Sequence, residues 1–342
     1  MGESQEDQRH ERPPVHRPIS GARCRISRHP DGHPLGRLPR RGRRAAADAP
    51  ATLRAYRADL ACYRAWCAAE ARDALPATPQ TVGAYLASLA PRYALATLRR
   101  RLAAIARAHR AAGHHLDCAH PAVRETLRGI ARRHGVPQRR AAALATPEIR
   151  KLAAACDGSL AGLRDRALLL LGYAAALRRA ELAAVAVEDV RLTGDGLELL
   201  LPRSKTDVTG EGVRVGVPRG QHAATCPVRA LQAWLAASGI RYGPVFCWVT
   251  RWGSVEAGRA LSGEGVRLIL ARRADQAGVT GTAREPVAPH GLRAGCITQA
   301  YQAGLRDEDI MAHTRHRAVA TMRRYVRRAR LMDDSPARKL GL

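Results

Sequence analysis

Apolar residues recur every three or four positions in four stretches of the chain between residues 49 and 136. The stretches begin near Ala51, Pro79, Ala96 and Pro121. Such spacing places the apolar side chains on one face of an α-helix. The pattern predicts an all-helical domain over residues 49–136. Its expected inner-face residues are Tyr56, Tyr63, Tyr85, Leu86, Leu98, Ile105, Val123 and Ile130.

A second pattern follows a predicted linker, residues 137–146, which contains Pro137, Arg139 and Arg140 and lacks an apolar face. Two strand-like runs, Leu197–Leu201 and Val213–Val217, flank a polar loop. Helical spacing predicts further helices at about 147–156, 161–177, 227–237, 261–277, 290–304, 306–313 and 318–328. The predicted fold class is mainly α with a small antiparallel β-sheet. Residues 147–330 form the second domain, and a tail follows at 331–342.

The first 48 residues show no hydrophobic periodicity. The segment contains repeated Pro and is rich in Arg. Too little apolar surface is present to offset the entropy cost of ordering, so we expect a disordered tail. Two interpretations stay open: a basic arm that lies on DNA, or an ill-defined start of the reading frame.

Length and cysteine usage bound the class of protein. A chain of 342 residues exceeds the usual size of one domain, so two hydrophobic cores are expected. The longest apolar run, Ala167–Leu177, is too short to span a bilayer and predicts a buried helix. The eight cysteines include no CxxC pair, and no secretory segment is evident. We therefore expect reduced thiols in a soluble cytoplasmic protein.

One group of histidines and a cysteine is a candidate metal site. It lies between the third and fourth helices and comprises His109, His114, His115, Cys118 and His120. This spacing fits no common zinc-binding pattern. We expect exposed loop histidines here, and neither a metal ion nor another cofactor.

The formal net charge of +27 points to a polyanionic partner. Aromatic residues make up 4% of the chain, which disfavours a single-strand binder built on base stacking and favours duplex DNA. A merely solubilising surface remains an alternative, because nearly all basic residues are Arg and nucleotide bias alone produces such a composition. The predicted DNA contacts, on the outward face of the third helix and in the linker, are Arg99, Arg100, Arg101, Arg107, Arg139 and Arg140.

Several residues of the second domain are suited to phosphoryl transfer. Glu181 follows Arg178 by three residues, so its carboxylate can hold the guanidinium, although a plain helical ion pair has the same spacing. Lys205 is one of only three lysines, and Lys delivers a proton more readily than Arg does. A random surface lysine is the alternative.

Two histidines and an arginine precede a tyrosine near the carboxyl end. His290 and Arg293 share a helix face, and His316 precedes the predicted helix that carries Tyr325. A lone His is usually structural and a lone Tyr usually belongs to a core. Their joint occurrence predicts a nucleophile, an acid and cationic groups that together act on a phosphodiester.

This set of motifs resembles the tyrosine recombinase (phage integrase) family. The matching segments, from about Ala51 to the end, are Ala-Leu-Arg178-Arg-Ala-Glu181-Leu, Arg203-Ser-Lys205-Thr, His290-Gly-Leu-Arg293, and His316 followed by Tyr325. The resemblance implies a SAM-like helical core-binding domain and a catalytic domain that together encircle DNA. It further implies a site-specific recombinase that works as a homotetramer on paired sites, without metal or ATP.

The resemblance also implies a role for each site residue. Tyr325 would attack the phosphate and form a 3′-phosphotyrosyl intermediate, while Arg178 and Arg293 clamp the phosphate. Lys205 would be the general acid and Glu181 would orient the site. The histidines His290 and His316 would assist in handling charge and protons.

The chain departs from the family pattern at three places. Thr314-Arg315 stands before His316, so a bulky cation replaces a frequent glycine. Gly291 stands where Ser or Thr is frequent, and we expect it to loosen the first turn of its helix. The Arg-rich segment at residues 1–48 has no counterpart in the core fold.

Alternative functions are a type IB topoisomerase-like nicking-closing enzyme and a catalytically silent DNA-binding protein. The tail at 331–342 is a candidate for docking on a neighbouring subunit.

Overall fold

Four helices form from the four apolar stretches. The computed structural model describes residues 50–136, 139–202, 212–329 and 335–340. The helices are α1 (Pro50–Ala69), α2 (Pro79–Ser88), α3 (Leu95–Ala111) and α4 (Pro121–His134). Thr78 caps α2 by accepting a hydrogen bond from the backbone N–H of Thr81 at 3.2 Å. The apolar spacing predicts these helices to within a few residues.

Most side chains predicted to face inward in this part of the chain form one hydrophobic core, but Tyr56 is only half-buried and does not belong to it. The fully buried members include Tyr63, Tyr85, Leu86, Leu98, Ile105 and Val123. His109 lies among them on α3 rather than in the loop that follows. Its Nε2 accepts from the backbone N–H of Ala77 at 2.9 Å, and its Nδ1 lies 2.9 Å from the carbonyl oxygen of Ile105. The expectation of an exposed loop histidine is therefore wrong for His109, because the ring joins two backbone segments.

The prediction that Arg101 points outward and contacts DNA is wrong. Its side chain is 7% exposed, and its Nη1 donates to Tyr85 Oη at 2.6 Å. Asp59 lies 3.8 Å from Arg101 Nε and accepts two hydrogen bonds from the half-exposed Arg100. The buried carboxylate and phenol draw Arg101 into the interior, because a charged group inside a protein needs such partners. Arg99 on the same helix is exposed.

The second half of the chain is mainly helical with two small antiparallel sheets. Its helices are α5 (Thr146–Ala154), α6 (Leu160–Ala174), α7 (Arg179–Ala183), α8 (Pro227–Ser238), α9 (Gly263–Gln276), α10 (His290–Gln302), α11 (Asp307–Thr314) and α12 (Val319–Ala329). Strands β1 (Val190–Leu192), β2 (Gly196–Leu201) and β3 (Val213–Pro218) form one sheet in that order, and β4 (Cys247–Val249) pairs with β5 (Val255–Ala260). The sequence predicted β2 and β3. The others escaped prediction because β1 and β4 have three residues each and β5 is largely exposed.

Helix α6 lies in the larger hydrophobic core and packs against α8. Its residues Ala167–Leu171 are all buried, as the apolar run predicted. Asp165 on the same helix has no exposed surface and accepts hydrogen bonds from Arg164, Arg272 and Arg273. The carboxylate thereby joins α6 to α9. None of the described helices, α6 included, is both long and apolar enough to cross a membrane.

The segment before α5 runs in extended form along the second half of the chain. Backbone N–H groups of Arg140 and Ala142 donate to the carbonyls of Arg284 and Pro286 at 3.2 and 3.1 Å. Leu144 has 1% of its surface exposed and belongs to the larger core. The linker was predicted to lack an apolar face, yet Leu144 packs into the core. One buried leucine among small alanines gives no periodic signal.

Candidate active site

The candidate active site is formed by residues from the turn after α6, the first turn of α10, the turn after α11, and α12. The turn after α6 contains Ala176 with φ +47°, which ends the helix before Arg178. The turn after α11 contains Arg315 with φ +60°. Left-handed backbone at a residue other than glycine is strained, and such strain clusters at functional sites.

Tyr325 on α12 contacts His290 at the start of α10. The distance between Tyr325 Oη and His290 Nε2 is 2.7 Å, and the ring centroids lie 5.8 Å apart. Partial burial, together with the positive charges of Arg293 and Arg178, lowers the pKa of His290, although part of the residue is open to solvent. The ring is therefore neutral at pH 7, and its Nε2 can accept the phenolic proton.

Arg293 is the most deeply buried cation of the site, with 1% of its surface exposed. Its Nη1 donates to the carbonyl oxygen of Ala176 at 2.6 Å, and its Nη2 donates to that of Thr314. Burial, with the charges of Arg178 and Arg315, lowers the pKa of Arg293 to about 10. The guanidinium keeps its charge at pH 7 and is held in one orientation.

His316 is fixed by Thr314. The Thr314 hydroxyl donates its proton to the carbonyl oxygen of Ile310 at 2.6 Å, so it accepts a hydrogen bond from His316 Nδ1 at 2.7 Å. Nε2 is left without the ring proton, and Arg293 Nη2 lies 3.4 Å from Nε2 and 3.5 Å from Nδ1. Burial and then the charges of Arg293, Arg178 and Arg315 lower the pKa of His316 to about 4. The ring is neutral at pH 7 in the free protein.

Glu181 is shared by two arginines. Its Oε1 accepts from Arg178 Nη1 at 2.6 Å. Its Oε2 accepts from the Arg178 backbone N–H at 2.9 Å and from Arg315 Nη2 at 3.2 Å. Burial alone would raise the pKa of Glu181, but the Arg178 hydrogen bonds and the Arg315 charge outweigh it and hold the pKa below its usual range. The pair is thus more than a helical ion pair, because the carboxylate orients two cations.

Gly291 lies in the first turn of α10, and its expected loosening of that turn stays a prediction. A Cβ at this position would lie 2.3 Å from the carbonyl oxygen of Ala142, and one at Gly295 would lie 1.7 Å from that of Leu144. The Leu144 backbone N–H also donates to the Gly291 carbonyl at 3.1 Å. Both glycines therefore let the extended segment before α5 lie directly on the helix that carries His290 and Arg293.

The structure brings together five of the six predicted catalytic residues: Arg178, His290, Arg293, His316 and Tyr325. Lys205 lies outside the described residues. Sequence reasoning missed Thr314 as a contributor and treated Arg315 only as a departure from a pattern. No periodicity or spacing marks a threonine as a histidine partner, whereas an arginine at a position that favours glycine was a usable signal.

A cavity of about 420 Å³ opens beside Tyr325 and His290. Two of the predicted DNA contacts, Arg139 and Arg140, line it. Arg324 and Thr321 of α12 also line it and were not predicted. The α3 arginines Arg99, Arg100, Arg101 and Arg107 are not among the residues that line this cavity.

No group of three or more His, Cys, Asp or Glu side chains is placed to hold a metal ion within the described part of the chain. The residues of the site that the structure describes supply a phenol, two imidazoles, three guanidiniums and one carboxylate. A tyrosine beside a cationic cluster, on a mainly helical fold with small antiparallel sheets, is typical of the class of tyrosine recombinases.

The chain belongs to the phage integrase family. Residues 143–331 match the phage integrase family, and residues 44–114 match the phage integrase N-terminal SAM-like domain. The integrase/recombinase XerD homologue of Selenomonas ruminantium is 33% identical over 293 residues, which cover 84% of this chain and 85% of that protein. The recombinase Cre of Escherichia phage P1 is 26% identical over 268 residues, or 73% and 76% of the two chains.

Solved structures share the fold. The XerH site-specific recombinase in a post-cleavage complex with palindromic difH substrate has a TM-score of 0.56 and 17% identity, and the match covers 77% of this chain and 72% of that one. A lambda integrase dimer bound to a COC′ core site also has a TM-score of 0.56, with 18% identity over 82% and 73% of the chains. The predicted family and fold class are confirmed.

Proposed function

We propose that this protein cuts and rejoins duplex DNA at specific sites through a covalent 3′-phosphotyrosyl intermediate. The observation that carries the proposal is the 2.7 Å contact between Tyr325 Oη and the neutral His290 Nε2, with Arg293 and Arg178 close enough to shift the His290 pKa. A phenol is a weak nucleophile at neutral pH, and an adjacent base activates it.

Atoms and protons balance in the proposed step. Tyr325 Oη attacks the scissile phosphorus and passes its proton to His290 Nε2. The bond from phosphorus to the 5′-oxygen breaks, and that oxygen leaves as a 5′-hydroxyl with a proton from Lys205, the proposed general acid. Attack by a 5′-hydroxyl of a partner strand reverses each transfer. The energy of the phosphodiester is retained in the tyrosyl ester, so no ATP is consumed.

Arg178 and Arg293 are proposed to bind the non-bridging phosphate oxygens. Arg293 is buried and pre-oriented, and Arg178 is held by Glu181 while 23% of its side chain stays exposed. Cations fixed before the reaction stabilise the charge that develops on the pentavalent phosphorane. The neutral His316 beside Arg293 is proposed to contact the same phosphate through Nε2.

Duplex DNA is the proposed partner. The net charge of +27 and the arginines beside the Tyr325 cavity, Arg139, Arg140 and Arg324, support binding of a phosphate backbone. Arg99, Arg100 and Arg107 remain proposed contacts on α3. Related proteins have been solved on DNA, including a lambda integrase tetramer bound to a Holliday junction. We propose a homotetramer on paired sites, a core-binding domain at residues 49–136 and a catalytic domain at 147–330.

A suicide duplex, nicked near the cleavage position so that a short fragment diffuses away, tests the proposal. We expect a protease-sensitive covalent adduct with the wild-type protein and none with Tyr325→Phe, which keeps the ring and removes the nucleophile. DNA binding by that variant should stay within about twofold of wild type, because the hydroxyl is one group among many that touch the duplex. Binding without any adduct in the wild type would support a silent DNA-binding protein instead. Supercoil relaxation without strand exchange would support a topoisomerase.

A further inference from the structure

Arg315 occupies a backbone position that suits glycine. Its φ of +60° lies in the left-handed region, which a residue with a side chain enters only at a cost in free energy. Glycine adopts this conformation freely. The strain persists only where the surrounding contacts over-determine it, so the Arg315 side chain itself should compensate for it.

The Arg315 guanidinium turns inward and makes four polar contacts. Its Nη1 donates to the carbonyl oxygens of Ala175 at 3.1 Å and His313 at 3.0 Å. Its Nη2 donates to the carbonyl oxygen of Ala176 at 2.9 Å and lies 3.2 Å from Glu181 Oε2. Only 4% of the side chain is exposed. This is a specific set of contacts and not a solvated surface charge.

These contacts connect the two arginines proposed to bind phosphate. Glu181, which Arg315 contacts through Oε2, holds Arg178 through Oε1. The Ala176 carbonyl, which Arg315 contacts through Nη2, also accepts from Arg293 Nη1. One guanidinium therefore shares a carboxylate with Arg178 and a carbonyl with Arg293. Neither shared group can move without disturbing one of these arginines.

We propose that Arg315 is a positioning residue that holds Arg178 and Arg293 in a fixed relative geometry for the scissile phosphate, and this rests on the proposed function. It does not contact the reacting atoms itself. The third guanidinium also raises the positive charge of the site, where Glu181 is the carboxylate that both Arg178 and Arg315 contact. A glycine at this position would leave Glu181 to Arg178 alone.

The charge on Arg315 has a consequence at His316 that can be measured without DNA. The charged and titratable groups facing this imidazole are Arg293 and His290 of α10, Arg178, Arg315, and Tyr325 of α12. After burial and the charges of Arg293 and Arg178, the Arg315 charge is the next cause that disfavours the imidazolium. Removing Arg315 should therefore raise the pKa of His316 above its wild-type value of about 4.

The first test compares Arg315→Gly and Arg315→Lys in the full-length protein under single-turnover conditions at saturating suicide duplex. Glycine fits φ +60°, so the first variant should fold, and lysine retains the charge but replaces the planar fork by one ammonium. We expect cleavage by Arg315→Gly to slow on the order of 10- to 100-fold, as when reacting groups are displaced by about an ångström. Affinity for the duplex should change less than about threefold, because many other contacts remain.

Rescue separates positioning from a mere loss of packing. Arg315→Lys should cleave at an intermediate rate, and millimolar guanidinium ion should restore part of the activity of Arg315→Gly. The control Arg317→Ala removes an exposed arginine two residues away and should cleave at the wild-type rate. Wild-type cleavage by Arg315→Gly, or a loss that neither lysine nor guanidinium relieves, would overturn the proposal.

Titration of His316 by NMR provides the second test. In DNA-free protein we expect the pKa of His316 to be higher in Arg315→Gly than in wild type, and almost unchanged in Arg317→Ala. An unchanged His316 pKa in Arg315→Gly would refute the assigned charge coupling. If wild type forms no adduct while this coupling is observed, the proposed function fails and the Arg315 arrangement stands.

Discussion

At the scale of single residues, the site fixes protonation states before any substrate arrives. Thr314 gives its proton to Ile310 and so accepts from His316 Nδ1, which settles the tautomer of that ring. Burial and neighbouring arginines keep His290 and His316 uncharged at pH 7. Among the described residues, the positive charge of the site therefore resides on guanidiniums, which do not titrate in the working range.

The Thr314 hydroxyl can be removed without changing the size of the side chain. We expect Thr314→Val to lower the single-turnover cleavage rate on the order of tenfold, equivalent to about 1.4 kcal/mol in the barrier, because His316 then lacks its orienting partner. Thr314→Ser retains a hydroxyl and should cleave within about twofold of wild type. Nitrogen chemical shifts of His316 report the tautomer directly. An unchanged tautomer and rate in Thr314→Val would contradict the assignment.

The lowered pKa of His316 also makes stability depend on pH. The folded-state pKa is about 4 against 6.5 for an ordinary histidine. Between these values the unfolded chain binds the proton and the folded chain does not, so stability falls as pH decreases from 6.5 towards 4. We expect the free energy of unfolding, measured with urea, to fall on going from pH 7 to pH 5 by about 1–2 kcal/mol more in wild type than in His316→Gln. This range allows for partial solvent access to the ring. Parallel decreases in both proteins would count against the shift.

At the scale of elements, α10 makes contacts on two of its faces. One face presents His290 and Arg293 to the site, and another lies against the extended segment that contains Ala142 and Leu144. Gly291 and Gly295 allow that backbone to approach closely. The position of the site residues thus depends on the segment that joins the two halves of the chain.

A single methyl group tests this close approach. Gly295→Ala would place a Cβ 1.7 Å from the Leu144 carbonyl oxygen, so the backbone must shift, and we expect a decrease of about 1–3 kcal/mol in the free energy of unfolding. Gly129→Ala on α4 is the matched control. Its Cβ would meet nothing within 4 Å, and it should gain up to about 1 kcal/mol from helix propensity. Equal stability of the two variants would show that α10 tolerates a side chain there.

Most helices were predictable, because amphipathic spacing and a proline in the first turn of a helix, as at Pro79 and Pro147, are local signals. Thr146 does not cap α5, because the helix is preceded by Ala145 without a side-chain cap. Helix α6 ends three residues earlier than predicted, at Ala174, since Ala176 adopts a left-handed conformation that no local residue preference indicates. The burial of Arg101 depends on Asp59 and Tyr85, which lie on other helices. Contacts between elements were therefore the hardest feature to predict from local patterns.

At the scale of the whole molecule, most of the positive charge is on Arg side chains, and some of these are buried inside the protein. Arg101, Arg164, Arg273 and Arg315 are buried and are not proposed phosphate contacts, so they contribute little to a DNA-facing surface. The arginines that line the cavity beside Tyr325 are better placed for this role. Net charge alone therefore overstates the number of phosphate contacts.

The salt dependence of DNA binding tests which arginines contact phosphate. An arginine that neutralises one phosphate adds about 0.9 to the magnitude of the slope of log K against log salt. We expect the double variant Arg139→Ala/Arg140→Ala to lower the slope by about 2, and Arg306→Ala, whose partner is Asp309, to leave it unchanged. The slope is read from binding isotherms at several salt concentrations. Identical slopes in all three proteins would remove Arg139 and Arg140 from the interface.

The set of reacting groups was largely predictable, but their arrangement was not. The order of Arg178, His290, Arg293, His316 and Tyr325 along the chain resembles that of a known family, and the structure brings these residues together. The tautomer of His316 and the inward turn of Arg315 depend on a hydroxyl and a carboxylate that only the folded chain brings near. The role of Lys205 stays a prediction, since its loop lies outside the described residues.

Mass spectrometry of the trapped adduct tests the central claim most directly. Wild-type protein is incubated with the suicide duplex, then digested with trypsin and nuclease, and the modified peptide is sequenced. We predict a nucleotide joined through its 3′-phosphate to the oxygen of Tyr325, together with a free 5′-hydroxyl on the released strand. A nucleotide on any other residue, a 5′-phosphate linkage, or no adduct from protein that binds the duplex would contradict the account.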